Sequence, residues 1–240
     1  MLFNSATRRA FLVTSGLSVI GMAGCASSST RAPIQAEPTV EGTLPPTSNQ
    51  ALQKLLEGNL RFQSGQAKWP NQTAGRRQAL AQEQTPWAMV FGCVDSRVPP
   101  ELVFDQGLGD LLDIRTAGHV IDNAAMGSIE VGIAKYGIPL LVVLGHERCG
   151  AVSIAIEALD HQKKEEGHIQ TLAEYLRPSV LKAQGKGEDR HASVVHNNIL
   201  YTVNTLYSSK IISDAVNTSK LTIVGGHYDL DTGAVSILTN

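Results

Sequence analysis

Cys93, His146 and Cys149 carry the side chains that soft divalent metals prefer, and two of them stand three positions apart in Gly145-His146-Glu147-Arg148-Cys149-Gly150. Zinc is held in a tetrahedron by thiolate sulfur and imidazole nitrogen. A His-x-x-Cys pair across a strand-to-helix turn can grip one ion, and Cys93, in Gly92-Cys93-Val94-Asp95-Ser96-Arg97, can close the set from a neighbouring strand. Three protein ligands leave the fourth position open, which separates a catalytic centre from a structural one. Two plainer readings compete: a Cys93–Cys149 disulfide, and thiols that are buried for packing, as thiols commonly are. Neither accounts for His146 at ligand spacing, nor for Asp95 and Arg97 flanking one thiol. The wide separation of the two cysteines is also unlike the Cys-x-x-Cys of thiol redox proteins.

The elements that must position these residues follow from the apolar pattern. Short apolar runs at 88–94, 111–114, 140–144, 221–224 and 235–238 predict strands. Helical spacing predicts helices over 50–63, 73–84, 124–136, 149–159, 169–183 and 191–206. The alternation predicts an α/β fold, a mainly parallel central β-sheet flanked by helices with right-handed crossovers. In such sheets ligands collect at the carboxyl ends of the strands. Cys93 and His146 each stand at or just past the end of a predicted strand.

Composition sets the outer limits. The chain has 240 residues, 42% of them hydrophobic, and 20 basic against 22 acidic residues leave a net charge of −2. A nucleic-acid binder needs a cationic surplus and a disordered tail needs low hydrophobicity, so both classes are excluded. With 22 Gly against only 5 Phe, 5 Tyr and 2 Trp, the core is built from aliphatic residues, which suits buried parallel strands. Three cysteines are too few for a disulfide scaffold.

Residues 1–25 read as an export signal, not a membrane span: Arg8-Arg9 precedes an uncharged stretch, 10–24, that is short and diluted by Thr14, Ser15, Gly16 and Ser18. Thr7-Arg8-Arg9-Ala10-Phe11-Leu12 resembles the twin-arginine signal, which passes folded proteins. Met22-Ala23-Gly24-Cys25 resembles a lipoprotein cleavage box and predicts lipidation at Cys25; the competing reading is cleavage at an Ala-x-Ala-like site, with Cys25 a free thiol. Residues 26–48, with Pro33, Pro38, Pro45 and Pro46, read as a flexible tether. The folded part is expected over 49–240. The expected location is exported, periplasmic or otherwise extracytoplasmic, with the membrane reached only through the lipid.

Cys-x-Asp-Ser-Arg followed by His-x-x-Cys resembles the beta-class carbonic anhydrases. The resemblance continues, in family order, through VPPELVFDQGLG (98–109), DLLDIRTAGHV (110–120), GSIE (127–130) and GGHYDLDTG (225–233). It implies a zinc lyase interconverting carbon dioxide and bicarbonate, with one Zn2+ per subunit, forming a homodimer or higher even oligomer with active sites at the subunit interface. The resemblance assigns Cys93, His146 and Cys149 to the metal and catalytic roles to Asp95 and Arg97. With Arg97 holding it, Asp95 stays off the metal and accepts a hydrogen bond from the attacking oxygen; released, it can become the fourth ligand. Two thiolates donate more charge than imidazoles, so activity is expected to rise into alkaline pH.

Gln84 matches a bicarbonate-binding glutamine of plant-like members, against the reading of a surface glutamine; Gly150, just after the last ligand, would let the backbone approach substrate closely, against the reading of a turn residue. Val90 stands where allosteric members carry Trp. Leu112, Ala117 and Val131 stand where plant-like members place Phe, Val and Tyr. His119 is the histidine best placed to relay a proton. The same fold and metal also suit hydrolysis of carbon disulfide or carbonyl sulfide, and a metal-loaded scaffold subunit is the reading outside catalysis.

Overall fold

The apolar runs form one sheet in the computed structural model, which describes residues 46–238; the export signal, Cys25 and the tether up to residue 45 lie outside the described residues. The strands are β1 (Ala88–Cys93), β2 (Leu111–Thr116), β3 (Leu140–His146), β4 (Thr222–Tyr228) and β5 (Val235–Ile237), in the order β2-β1-β3-β4-β5. The first four are parallel and β5 runs antiparallel to β4. Every residue of β1 and β3 is buried, as central strands covered on both faces require. The expected α/β fold, a mostly parallel sheet flanked by helices, is the one the chain adopts.

The helices are α1 (Ser48–Gln63), α2 (Ala74–Ala79), α3 (Pro100–Val103), α4 (Asn123–Tyr136), α5 (Gly150–Asp160), α6 (Ile169–Lys182), α7 (Gly187–Leu206) and α8 (Lys210–Asn217). Thr47 starts α1 with a capping box, its hydroxyl accepting from Gln50 N–H while the Gln50 side chain accepts from Thr47 N–H. α2 ends sooner than expected over 73–84, because the segment Ala81-Gln82-Glu83-Gln84-Thr85 offers no large apolar residue to bury. α3 and α8 have too few residues to register as a period; Ser209 caps α8 through Ile212 N–H. β2 and β3 run past their predicted ends to Thr116 and His146, where polar residues replace the apolar run.

Alternation divides the strand residues between two cores. Met89, Phe91, Leu141 and Val143 pack toward α4, α5, α6 and α7. Ala88, Val90, Leu140, Val142 and Leu144 pack with Ala51 and Leu55 of α1 and with Val103 and Phe104. Buried Asn59 pins α1 to the β4–β5 turn: its Nδ2 donates to Val103 O and Gly233 O at 2.9 and 2.8 Å, and its Oδ1 accepts from Val235 N–H at 2.9 Å. The chain leaves β1 for β2 on one side and returns to β3 on the other. The connection therefore reverses between β1 and β3, the place where open parallel sheets form a crevice beyond the strands' carboxyl ends. Cys93 ends β1 and His146 ends β3.

The edge strand β2 carries a charge in an awkward place. Burial, reinforced by the neighbouring Glu101 carboxylate, pushes the pKa of Asp113 up to about 8, and its Oδ1 is buried without a hydrogen-bond partner. The folded chain thus holds a proton that the unfolded chain, with a carboxyl near its ordinary pKa, has already released. Stability contributed by the protonated form is lost as pH rises from the ordinary carboxylate range to about 8. Asp113→Asn removes this dependence, and urea unfolding at pH 5 and pH 8.5 is expected to show the variant's stability relative to wild type rising between the two, with the larger gain at pH 8.5.

Candidate metal centre

Three donor atoms converge in the crevice between β1 and β3. Cys93 Sγ and Cys149 Sγ lie 4.0 Å apart, and together with a ring nitrogen of His146 they fall within 4.8 Å of one another. Both thiols are free, so the disulfide reading fails. A sulfur–sulfur separation of 4.0 Å is close to the edge of a tetrahedron with zinc–sulfur bonds of about 2.3 Å. All three side chains are buried: Cys93 is 4%, Cys149 2% and His146 1% exposed.

Local structure aims each donor. His146 Nδ1 is 2.8 Å from Glu147 O, and because a carbonyl only accepts, Nδ1 carries the proton. Nε2 is then left with a free lone pair, buried and without a hydrogen-bond partner. A buried acceptor with no donor is costly unless something electrophilic faces it, and a metal ion supplies that. Cys149 is the residue before α5, so its sulfur sits at that helix's positive end. Between the two sulfurs, the Cys149 thiol hydrogen bond, with help from the Gly118 N–H, pulls the Cys93 pKa well down, while the same sulfur contact and burial push that of Cys149 up.

Asp95 and Arg97 form a fork: Nε donates to Oδ1 at 2.9 Å and the terminal guanidinium nitrogen to Oδ2 at 2.8 Å, with the Arg97 backbone N–H also on Oδ1. Asp95 Oδ2 is 3.9 Å from His146 Nε2, so the carboxylate stands beside the donors while facing the guanidinium. These hydrogen bonds hold the Asp95 pKa far below the usual carboxylate range. The sign follows: a depressed carboxylate pKa makes the pair stabilising above the ordinary Asp value and weakens it only in strong acid. Asp95 is an acceptor throughout the neutral range.

Supports that the motif spacing did not disclose hold this arrangement. Arg115 Nε donates to Cys93 O at 2.8 Å and its terminal nitrogen to Asp95 O at 2.6 Å, clamping the loop after β1. Arg148, in a left-handed conformation at φ +47°, forks onto Asp231 at 2.9 and 2.8 Å, and its carbonyl accepts from Arg97 at 3.4 Å. Glu147 adds Leu230 N–H, so the turn carrying His146 and Cys149 is fastened to the β4–β5 turn. His191 on α7 reaches Cys149 O at 3.2 Å. Arg115 sits in DLLDIRTAGHV and Asp231 in GGHYDLDTG, so their blocks were visible while their partners were not.

Other predicted residues lie elsewhere. Gln84 is exposed before β1 and donates to the Tyr136 hydroxyl at 2.9 Å, so within one chain it stands at the amino ends of the strands, opposite the donors. Leu112 is the second residue of β2 and packs near Gly132 of α4, and Val131 is half-exposed on that helix. Gly150 opens α5 with free space where a Cβ would stand. His119 does not suit a proton relay: it is buried, and burial pushes its pKa down to about 4, leaving the ring neutral in the working range.

A family model described as carbonic anhydrase matches residues 88–235, which contain all three donors together with Asp95 and Arg97. The chain belongs to the beta-class carbonic anhydrases. Carbonic anhydrase 2 of Mycobacterium tuberculosis is 43% identical over 184 residues, spanning 76% of this chain and 89% of that protein. The carbonic anhydrase of Mycolicibacterium smegmatis is 43% identical over 195 residues, 80% of this chain and 95% of that one. Among solved structures, the beta-carbonic anhydrase CcaA superposes with a TM-score of 0.63 at 25% identity, over 78% of this chain and 95% of its own. A tetrameric beta-carbonic anhydrase from Sordaria macrospora shares the fold at a TM-score of 0.64 and 21% identity, over 79% of this chain and 97% of its own. As a carbonic anhydrase, the chain is an enzyme of reversible carbon dioxide hydration, and its Cys-His-Cys group can hold a metal.

Arg97 lies outside the donor set, which separates binding from turnover. Arg97→Ala is expected to retain the metal by elemental analysis and to lose at least about a hundredfold in activity, the range seen when a group orienting the reacting atoms is removed. His146→Ala is expected to lose the metal itself. An Arg97→Ala enzyme with full activity contradicts the role of the fork.

Proposed function

We propose that this chain is a zinc carbonic anhydrase acting outside the cytoplasm, exported through its twin-arginine-like signal and tethered by lipid at Cys25. The observation that carries the catalytic part is the Asp95–Arg97 fork standing beside three converging soft donors. Cys93, His146 and Cys149 would hold the ion. Zinc, when bound, lowers the pKa of a water toward neutrality and so supplies the nucleophile for carbon dioxide.

The remaining steps belong to the chain's own groups. Asp95, kept ionised and turned aside by Arg97, accepts a hydrogen bond from the attacking oxygen and aims its lone pair at the substrate carbon. Arg97 also donates to Arg148 O, which fixes the guanidinium that keeps the carboxylate turned toward it. Gly150 leaves room at the start of α5 for bicarbonate to lie close to backbone. Gln84, at the far end of its own sheet, can contact bicarbonate only in a neighbouring subunit, and this favours a homodimer or higher even oligomer.

Export rests on the residues of the first segment. The Arg8-Arg9 pair fits a route for folded proteins, on which the thiols would already be shielded by the ion when they meet an oxidising compartment. Stopped-flow carbon dioxide hydration by the purified mature protein is expected to be fast, to be abolished by a strong chelator, to return with zinc, and to rise from pH 7 to 9. A rate flat over that range, or indifferent to chelation, contradicts the proposal. For the anchor, fatty-acid labelling of the full chain is expected to disappear in Cys25→Ser.

A further inference from the structure

The loop between β2 and α4 contains a piece of backbone that the catalytic reading leaves unused. Gly118, in a short 3-10 turn over Ala117–His119, adopts φ +64° and ψ +24°, and His119 follows at φ +43°. Consecutive left-handed residues are unusual, and one that is not glycine is strained. The turn puts the Gly118 N–H on Cys93 Sγ at 3.3 Å. Gly118 cannot be replaced without cost, since an added Cβ would stand 3.1 Å from the Ala151 Cβ in a conformation that side chains avoid.

What holds this turn comes from α7. Asn198, buried at 2% exposure, donates one amide proton to Gly118 O and the other to His119 Nε2, each at 2.8 Å. Its Oδ1 accepts from the Ser179 hydroxyl at 3.3 Å, so the amide can point only one way. His119 has its edge or face against Phe91 in a T-shaped contact at 6.4 Å, and its Nδ1 has no partner. The His119 ring is therefore fixed by packing and by one hydrogen bond, both serving to keep the turn in place.

We propose that Asn198 is a positioning residue for the metal ligand Cys93: by clamping Gly118 and His119 it aims the Gly118 N–H at the Cys93 sulfur. Hydrogen bonds to a ligating sulfur draw charge off it, and partners of this kind orient ligands and tune the metal they hold. Cys93 is the ligand contributed apart from the His-x-x-Cys turn, so its orientation depends on support of its own. Asn198 is outside the donor set and acts through its bonds to Gly118 and His119. This inference rests on the metal-centre reading, but not on the identity of the substrate.

The test uses the full mature chain loaded with 113Cd. A hydrogen bond from an amide to a cadmium-bound sulfur transmits spin coupling from the metal to the amide proton. Wild type is expected to show that coupling at the Gly118 N–H. Asn198→Ala is expected to lose it while cadmium stays bound, with metal affinity by chelator competition falling about tenfold. Asn198→Leu, which fills the same volume, makes the same test if the alanine variant does not fold. Val194→Ala, a cavity on the same helix, is the structural control: it is expected to lower thermal stability and keep both coupling and affinity. Absence of the coupling in wild type, its survival in the Asn198 variants, unchanged affinity in them, or an equal loss in Val194→Ala overturns the proposal. Failure of cadmium to bind at Cys93 overturns the metal centre instead, and bound metal without carbon dioxide hydration overturns only the function.

Discussion

Everything in this molecule answers to one electrostatic demand: two sulfurs and an imidazole lone pair are brought together, out of water, with no donor of the protein's own facing the nitrogen. Such a cluster is unfavourable unless a cation shares it. The fold meets the demand by rigidity. β1 and β3 are buried along their whole length and neighbours in the sheet, so the ends that carry Cys93 and His146 have no freedom to separate. Cys149 follows one turn later at the start of a helix, where the helix dipole favours its negative form.

Around that cluster the polar groups are arranged in order of reach. The Asp95–Arg97 fork stands at the opening, with Arg97 half-exposed and Asp95 mostly covered. Behind it, Arg115 grips the backbone of the loop that carries both, and Arg148 joins the ligand turn to Asp231. Exposed ion pairs such as Arg148–Asp231 contribute little to stability on their own. Their effect here is geometric: they select one conformation of loops whose backbones make few regular hydrogen bonds.

The α/β fold, the strand positions and the donors were legible because each rests on a local pattern. Apolar runs such as Leu140–Leu144 read as strands, and His146 and Cys149 stand at a spacing that a turn into a helix makes useful. What stayed hidden is mostly long-range. Asn198 lies on a helix foreseen only as a helix, and nothing near it in sequence points to Gly118, 80 residues away. The left-handed Arg148 and the fork onto Asp231 depend on tertiary approach, which periodicity does not encode. His119 misled for the same reason: its place in a motif was visible, and its burial was not. Gln84 likewise matches a pattern, while its place at the amino ends of the strands, on the Tyr136 hydroxyl, is set by tertiary approach.

One knot in the fold bears on how the chain comes into being. Asn59, in the first helix, accepts the N–H of Val235, 176 positions later, and also donates to Gly233. In synthesis from the amino end, α1 is made well before residues 233 and 235, and its buried amide has to wait for them before its bonds can close. The turn bearing His146 and Cys149 leans on that same late segment through Leu230 and Asp231. A nascent chain that has not yet reached residue 230 therefore holds all three donors without the frame that aligns them.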